Sequence, residues 1–373
     1  MKMIRIEFVL DTIDTPTGGT EKQLVELIRR IDRSRFDLEL AVHYQSEYLL
    51  REFKECPVHV VGFRSFKSIR SWLNIFRLAR HLRKRKPDIV HTYFQDGYVV
   101  GILSARLAGV RKIVAGRRNQ GYWMDQYPHS LYRCIKRWVD LFVTNSESTK
   151  RWVSDAEGVD PSRIMVIHNG VEISAFDGRD QESMTHIRDR YGIPSGAPVV
   201  GIVANLRPVK RIDVFLQAAM LVADKKPEVR FLVVGHDGQG GELLVLADRL
   251  GIADKVIFTG RIMDVAPVIR IFDIGVLSSD SESFSNSVVE YLAAGLPVVT
   301  TDVGGAREAV EDGVNGYVVP VGDHRSMADR ILEVLAGGRM QEMGVASRQR
   351  AEMFRMEAMV RKHEDLYAQL AGA

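Results

Sequence analysis

Apolar residues fall in short β-prone runs that alternate with longer stretches of helical spacing along most of the chain. Residues 3–10 form an apolar run, Thr-Pro-Thr-Gly-Gly-Thr at 15–20 reads as a turn, and 21–31 carries Leu24, Leu27, Ile28 and Ile31 on one helical face. Strands are expected next at 38–43, 89–91, 112–115 and 141–144, with helices around 72–85, 99–108 and 131–139. The pattern pauses over 177–198, where Gly, Pro and charged residues accumulate, and restarts with Val-Val-Gly-Ile-Val-Ala at 199–204. Strands at 229–234, 256–258, 274–277, 297–300 and 316–319 again alternate with helices. Strands separated by helices predict parallel sheets covered on both faces. The strand–loop–helix opening occurs twice, at residue 3 and at residue 199. It predicts an α/β protein of two doubly wound, Rossmann-like domains facing a central cleft, with residues 1–175 in the first and 176–354 in the second. Folds of this kind bind ligands at the carboxyl ends of their strands.

Composition narrows the class. A chain of 373 residues is long for one domain, and 46% hydrophobic with 27% charged residues excludes a disordered or coiled-coil protein. The longest mostly apolar runs, 98–105 and 291–299, are far short of the ~18 residues that span a bilayer. Arg5 interrupts what a signal peptide would need, so a cytoplasmic protein is expected, peripheral on the inner face of the membrane if it meets one. The two cysteines, Cys56 and Cys134, exclude a disulfide framework and a cysteine-built zinc site, and are expected to be small buried hydrophobes.

Net charge is only +3, but residues 1–175 hold 29 Lys and Arg against 20 Asp and Glu, while 176–373 hold 22 against 28. Within the basic half, residues 64–86 carry nine Lys or Arg and no carboxylate, interleaved with Phe66, Trp72, Leu73 and Phe76. Such a basic amphipathic tract fits an anionic membrane surface, where each cation contributes about 1 kcal/mol. It equally fits a solvated helix with one buried apolar face. A nucleic-acid partner is not expected, because no binding module is recognisable. Met340, Met343, Met353, Met356 and Met359 in the tail are expected to pack between helices.

The chemistry concentrates in Ser281-Glu-Ser-Phe-Ser-Asn-Ser-Val-Val-Glu290, which follows an expected strand and opens a helix ending near Gly295. Ser285 or Asn286 suits the N-cap. Free amides and the positive end of the helix dipole at that point form a seat for phosphate. Glu290 lies about one turn inside the helix and Glu282 in the loop before it, an arrangement suited to two ends of an extended ligand rather than to one shared metal or proton.

This segment resembles the Glu-x7-Glu motif of the retaining glycosyltransferases of family 4, which have the two-domain GT-B architecture. Further motifs resemble the family in the same order along the chain: Thr17-Gly-Gly-Thr-Glu21, Ile167-His-Asn-Gly-Val171, Asn205-Leu-Arg-Pro-Val-Lys210, Val234-Gly-His-Asp-Gly238 and Asp302-Val-Gly-Gly-Ala-Arg-Glu308. The resemblance implies a metal-independent enzyme that moves a hexose-type unit from a UDP- or GDP-linked donor to a glycan or lipid-linked acceptor, with retention and no further cofactor. No Asp-x-Asp pair is present to hold a cation, and the nearest approach is Asp280-Ser-Glu282. Lys210 and Arg207 would neutralise the departing phosphate, Glu282 would bind donor sugar hydroxyls and Glu290 the ribose. Ser287 and Val288, with Asn286, would offer the helix N-terminus to the diphosphate, and Gly18 and Gly19 would admit phosphate from across the cleft. Gly235 and Asn205 would line the donor site, and Arg261 would lie where the base sits. The chain has Asn205 where the family usually has Arg, and Ser283 where Gly is common.

In the first domain, His91 ends an expected strand and is a candidate to face the cleft and contact the acceptor or a phosphate, with packing in the core as the alternative. Arg118 and Asn119 stand where many relatives carry a histidine, and would contact the acceptor or a phosphate. The resemblance also implies that a final helix, about 355–373, returns to the first domain. Two alternatives remain at this stage: a nucleotide-sugar epimerase of the same architecture, and a sugar-nucleotide-binding subunit without catalysis.

Overall fold

The computed structural model describes residues 3–119, 134–178 and 181–372. The chain forms two compact units: one runs up to Asn169 and includes the residues from Glu357 onward, and the other is Gly170–Met356.

The first unit is built on a parallel sheet of seven strands: β1 (Ile4–Leu10), β2 (Phe36–Val42), β3 (Val58–Val60), β4 (Ile89–Thr92), β5 (Lys112–Arg117), β6 (Leu141–Thr144) and β7 (Ile164–Val166). Their order is β3-β2-β1-β4-β5-β6-β7. The second unit has β8 (Val199–Val203), β9 (Arg230–Val234), β10 (Val256–Gly260), β11 (Ile274–Leu277), β12 (Val298–Thr301) and β13 (Gly316–Val319), in the order β10-β9-β8-β11-β12-β13. Every registered strand pair is parallel. Strands such as β11 and β12 are buried at all four positions, as expected where helices cover both faces. Each unit is a doubly wound, Rossmann-like α/β fold. Strand order reverses between β1 and β4 in the first unit and between β8 and β11 in the second, which marks the two switch points where such sheets take ligands.

Three details depart from the sequence reading. β3 and β7 are three-residue strands, too short to show a period. The pause at 177–198 contains a helix, Gln181–Arg190, whose charged surface hides its two core-packing residues, Met184 and Ile187. Cys134 is exposed and Cys56 only half-buried, so neither is a fully buried hydrophobe. Of the expected helix at 131–139, residues 134–138 are helical, ending in the 3-10 turn Lys136–Trp138, and 131–133 lie outside the described residues.

One packing arrangement in the second unit positions the site. Gly275 of β11 leaves room for the Tyr291 ring, which a Cβ there would strike at 2.3 Å. Tyr291 Oη accepts the Val203 amide at 2.7 Å at the end of β8. The helix Asn286–Ala293 is thereby seated over the β8/β11 boundary, with its N-terminus at the carboxyl ends of those strands. In the first unit the helix Met356–Ala371 packs Tyr367 against Phe8 and Phe36, and Glu364 accepts the Asp32 amide at 2.8 Å.

Candidate functional site

The loops after β8 and β11 are fastened to each other. Asp280 N donates to Val209 O at 2.9 Å and Ser278 Oγ to Lys210 O at 2.8 Å. Ser278 and Ser279 are fully buried, and Thr301 Oγ1 at the end of β12 donates to Ser279 O at 2.7 Å. On this frame Lys210 Nζ donates to Glu282 Oε1 at 2.5 Å, and Ser279 Oγ donates to the same oxygen at 2.7 Å. The two residues are 72 positions apart in sequence and come together because β8 and β11 are neighbours in the sheet.

Ser285 caps the helix Asn286–Ala293, accepting the Val288 amide, and Ser287 Oγ lies 3.0 Å from Ser285 Oγ. Ser287, Val288 and Glu290 are buried, while Asn286 and Glu282 are half-buried. A small pocket at this helix terminus is lined by Glu282, Ser285, Val288, Val303 and Gly305. The residue between the lining Val303 and Gly305 requires glycine: Gly304 has φ +50, and a Cβ there would sit 2.2 Å from Glu282 O. Gly235 ends β9 at φ +150, where a Cβ would overlap Ala204 O at 1.7 Å, so the backbone beside Asn205 can be this close only without a side chain. Asn205 and Arg207 are exposed on the same loop as Lys210, and Arg261, after β10, is also exposed.

Arg211 was not among the expected site residues. It adopts φ +47, a left-handed conformation that costs a non-glycine residue about 1 kcal/mol. Its guanidinium is held by Asp213 at 2.9 Å and by Asp280 at 2.9 Å, and these partners hold it firmly charged. Asp280, the first residue of the acid pair considered for a metal, is therefore the counter-ion of Arg211.

In the first unit, Gly18 and Gly19 open the helix Gly19–Arg30, with Gly18 buried and Gly19 exposed. Arg118 and Asn119 are half-buried, and Arg118 Nη1 donates to Asn169 Oδ1 at 3.0 Å. His91 corrects an expectation. It is fully buried between Tyr93 and Tyr367, and its Nδ1 lies 2.8 Å from Tyr367 Oη. Burial holds its pKa well below the ordinary histidine value, so it is a neutral core residue and presents nothing to a ligand.

The switch point of this unit carries a group absent from the sequence reading. Asp11, just past β1, accepts the Gly97 amide at 2.6 Å and lies 3.5 Å from His43 Nδ1. Burial raises the Asp11 carboxyl to about 7 and lowers His43 to about 4. Beside them Phe94 has φ +57 and ψ −176, an outlier for a side-chain-bearing residue of the kind that clusters at functional sites. Single-residue reasoning had no signal for this group; its members meet only through strand order.

The basic tract forms the helix Ile69–Arg85, which buries Asn74, Ile75, Leu78, Ala79 and Leu82. A second apolar stripe on it is exposed: Ile69 81%, Trp72 40%, Leu73 53% and Phe76 58%. Arg70, Arg77, Arg80, Arg83 and Lys84 are exposed on the same helix. Among the described residues, no helix is long and apolar enough to cross a membrane.

Two family models match the chain: glycosyltransferase family 4 over residues 17–175 and glycosyl transferases group 1 over residues 183–350. The chain belongs to the family 4 glycosyltransferases. It is 35% identical over 229 residues to the D-inositol 3-phosphate glycosyltransferases of Mycobacterium bovis and Mycobacterium tuberculosis. That match covers 59% of this chain and 46% of those proteins, so the chain spans about half the length of the curated relatives it matches. Among solved structures, Anabaena Alr3699/HepE in complex with UDP superposes with a TM-score of 0.85 at 22% identity, covering 98% of this chain and all of that one. A glycosyltransferase from Rickettsia africae gives 0.86 at 21%, covering 99% of each chain. WaaG, a glycosyltransferase involved in lipopolysaccharide biosynthesis, gives 0.75 at 16%, covering 97% of this chain and 99% of that one. These likenesses establish the two-domain GT-B fold.

Proposed function

We propose that this protein transfers a hexose-type sugar from a nucleoside diphosphate sugar to a glycan or lipid-linked acceptor, with retention and without a catalytic metal. The observation that carries the reading is the Lys210–Glu282 pair, set at the β8/β11 switch point beside the N-terminus of the Asn286–Ala293 helix. A pyrophosphate needs positive charge and amide donors as the glycosidic bond breaks. Lys210, with Arg207 on the same loop, supplies the first, and the helix N-terminus supplies the second through the Ser287 amide and, once it exchanges the Ser285 hydroxyl for the ligand, the Val288 amide. Glu282 then exchanges its lysine for donor sugar hydroxyls, and Glu290 binds the ribose. Asn205, Gly235 and Arg261 complete the donor side. In the transfer step the bond from the anomeric carbon to the phosphate oxygen breaks, the acceptor oxygen bonds that carbon on the same face, and the acceptor proton passes to the departing phosphate. No side-chain base is then required, which agrees with the burial of His91. The fold likeness to a UDP-bound Anabaena protein favours a uridine nucleotide over guanosine.

The same reading gives the Ile69–Arg85 helix an anionic lipid bilayer as partner. Four apolar side chains stand exposed among cations with no acidic residue in the tract, which complements both the hydrocarbon and the charge of such a surface.

A panel of UDP-, GDP- and ADP-sugars tests the donor reading. Stabilisation by one nucleotide class, with release of its diphosphate only in the presence of an acceptor, is the expected result. Isomerised donor without acceptor would convert the reading to an epimerase, and no response to any donor would overturn it.

A further inference from the structure

Beneath the Ile69–Arg85 helix, on the face of the first sheet, β1 and β2 place Glu7 directly opposite Glu39. Like charges in that relation are destabilising unless something positive joins them. Arg85 supplies part of it: its Nε lies 3.0 Å from Glu7 Oε2 and 2.9 Å from Glu39 Oε2, and its Nη1 lies 3.3 Å from Asp37 Oδ2. Arg85 thus serves three carboxylates, with Arg5 Nε a further 3.9 Å from Asp37 Oδ2, and one negative charge remains uncompensated while His81 is neutral.

The other oxygens of the two glutamates converge on one atom. His81 Nε2 lies 3.5 Å from Glu7 Oε1 and 3.1 Å from Glu39 Oε1. Glu7 is fully buried, and its Oε1 has no hydrogen-bond partner. A single imidazole N–H donates to one acceptor well, not to two, so a proton on His81 leaves an orphaned carboxylate oxygen in the core.

We propose that Glu7, Glu39 and His81 bind one divalent transition-metal ion, with zinc the ion their donor set favours. The three ligand atoms all lie within 4.8 Å of one another. Bonds of about 2.0–2.1 Å to a tetrahedral zinc separate neighbouring ligands by about 3.3 Å, close to both His81 separations. Two oxygens and an imidazole nitrogen suit zinc rather than calcium or magnesium. The surroundings are those of a supported site. Arg85 Nε hydrogen-bonds the non-ligating oxygen of Glu7 and forms an ion pair with that of Glu39, and the His59 ring stacks on His81 with centroids 4.1 Å apart and planes 6° apart, which fixes the imidazole. His81 and Glu39 are part-exposed, which leaves a fourth position for water and a path for the ion. Three carboxylates stand against Arg85, the more distant Arg5 and one dication, which removes the net negative charge of the cluster. The ion ties the Ile69–Arg85 helix to β1 and β2, a structural role separate from sugar transfer.

Full-length protein stripped with a chelator and dialysed against zinc at about one hundred times its Kd tests this. It is expected to retain one zinc per chain and to melt about 5–10 °C higher, with no matching rise in magnesium. Glu39→Gln and His81→Asn, each checked for native circular dichroism, are expected to lose both effects. Absence of stoichiometric zinc in the wild type overturns the proposal, and so does retention of zinc by both folded variants, which would locate the ion elsewhere. The wild-type result stands as a test even if a variant does not fold.

Discussion

Lys210 and Glu282 pair at 2.5 Å across 72 residues of sequence, so the proposed donor site holds its principal cation and carboxylate in mutual contact. A donor that inserts its phosphate beside Lys210 and its sugar beside Glu282 replaces one ion pair with two sets of charge-assisted bonds. Neither residue is left buried and unpaired at any stage.

Lys210→Ala is therefore expected to lower kcat/KM by about 10²–10³-fold, with stability changed by about 1 kcal/mol or less because the pair is only partly enclosed. Glu282→Ala is expected to cut turnover severely as well, with folding intact. Steady-state kinetics together with a denaturant titration check this; wild-type turnover in either variant removes the assignment.

Gly304→Ala tests the turn between the pocket-lining Val303 and Gly305. The left-handed φ costs about 1–2 kcal/mol for any side-chain-bearing residue, and the new methyl group must push the Glu282–Ser283 backbone aside. A modest fall in melting temperature with a disproportionate loss of activity is expected. An equal loss in the nearby but uncrowded Gly313→Ala variant, also at positive φ, would show that strain alone is responsible.

Asp11 makes stability depend on pH in a direction opposite to most carboxylates. Its folded pKa, about 7, lies above its ordinary value of 3.8, so the folded state holds more protons between these limits. Its contribution is fully present at low pH and is lost as pH rises through about 7. His43, lowered to about 4, opposes it below the ordinary histidine pKa, since the folded protein must keep that ring neutral. Asp11→Asn retains an oxygen for the Gly97 amide but carries no charge. It is expected to melt higher than the wild type at about pH 8 and to show little advantage at about pH 5. A constant difference across that range would rule out titration of Asp11.

The exposed stripe on the Ile69–Arg85 helix predicts co-flotation with anionic vesicles that weakens as salt is raised. Trp72→Ser combined with Phe76→Ser is expected to reduce recovery with little effect on stability, since both side chains already face solvent. Equal recovery with neutral and anionic lipid, or none with either, sinks the membrane part of the proposal.

What could be read from the chain alone follows the range of the interactions involved. The strand and helix flanking Ser281–Glu290, and the Ser285 cap, are local and were legible in hydrophobic spacing and residue type. So was Lys210, through the motif that contains it. Arg211 and Asp280 were not, because their pairing depends on β8 lying beside β11, and no local pattern marks a left-handed arginine. His91 misled for the same reason: its partner, Tyr367, is 276 residues away. The exposed apolar stripe was visible as composition, but which of its residues face inward is decided by the sheet beneath. β3 and β7, at three residues each, fall below the length at which alternation carries information.

The assignment of the last helix to the first unit has a consequence for biosynthesis. Phe8, Phe36 and His91 are among the earliest parts of the fold to leave the ribosome, yet Tyr367 and His363, which cover them, leave among the last. Throughout translation of the intervening residues the nascent N-terminal sheet keeps an aromatic face uncovered, a natural target for chaperones. A fragment ending at Asn169 would inherit that stickiness permanently unless the closing helix were supplied in trans.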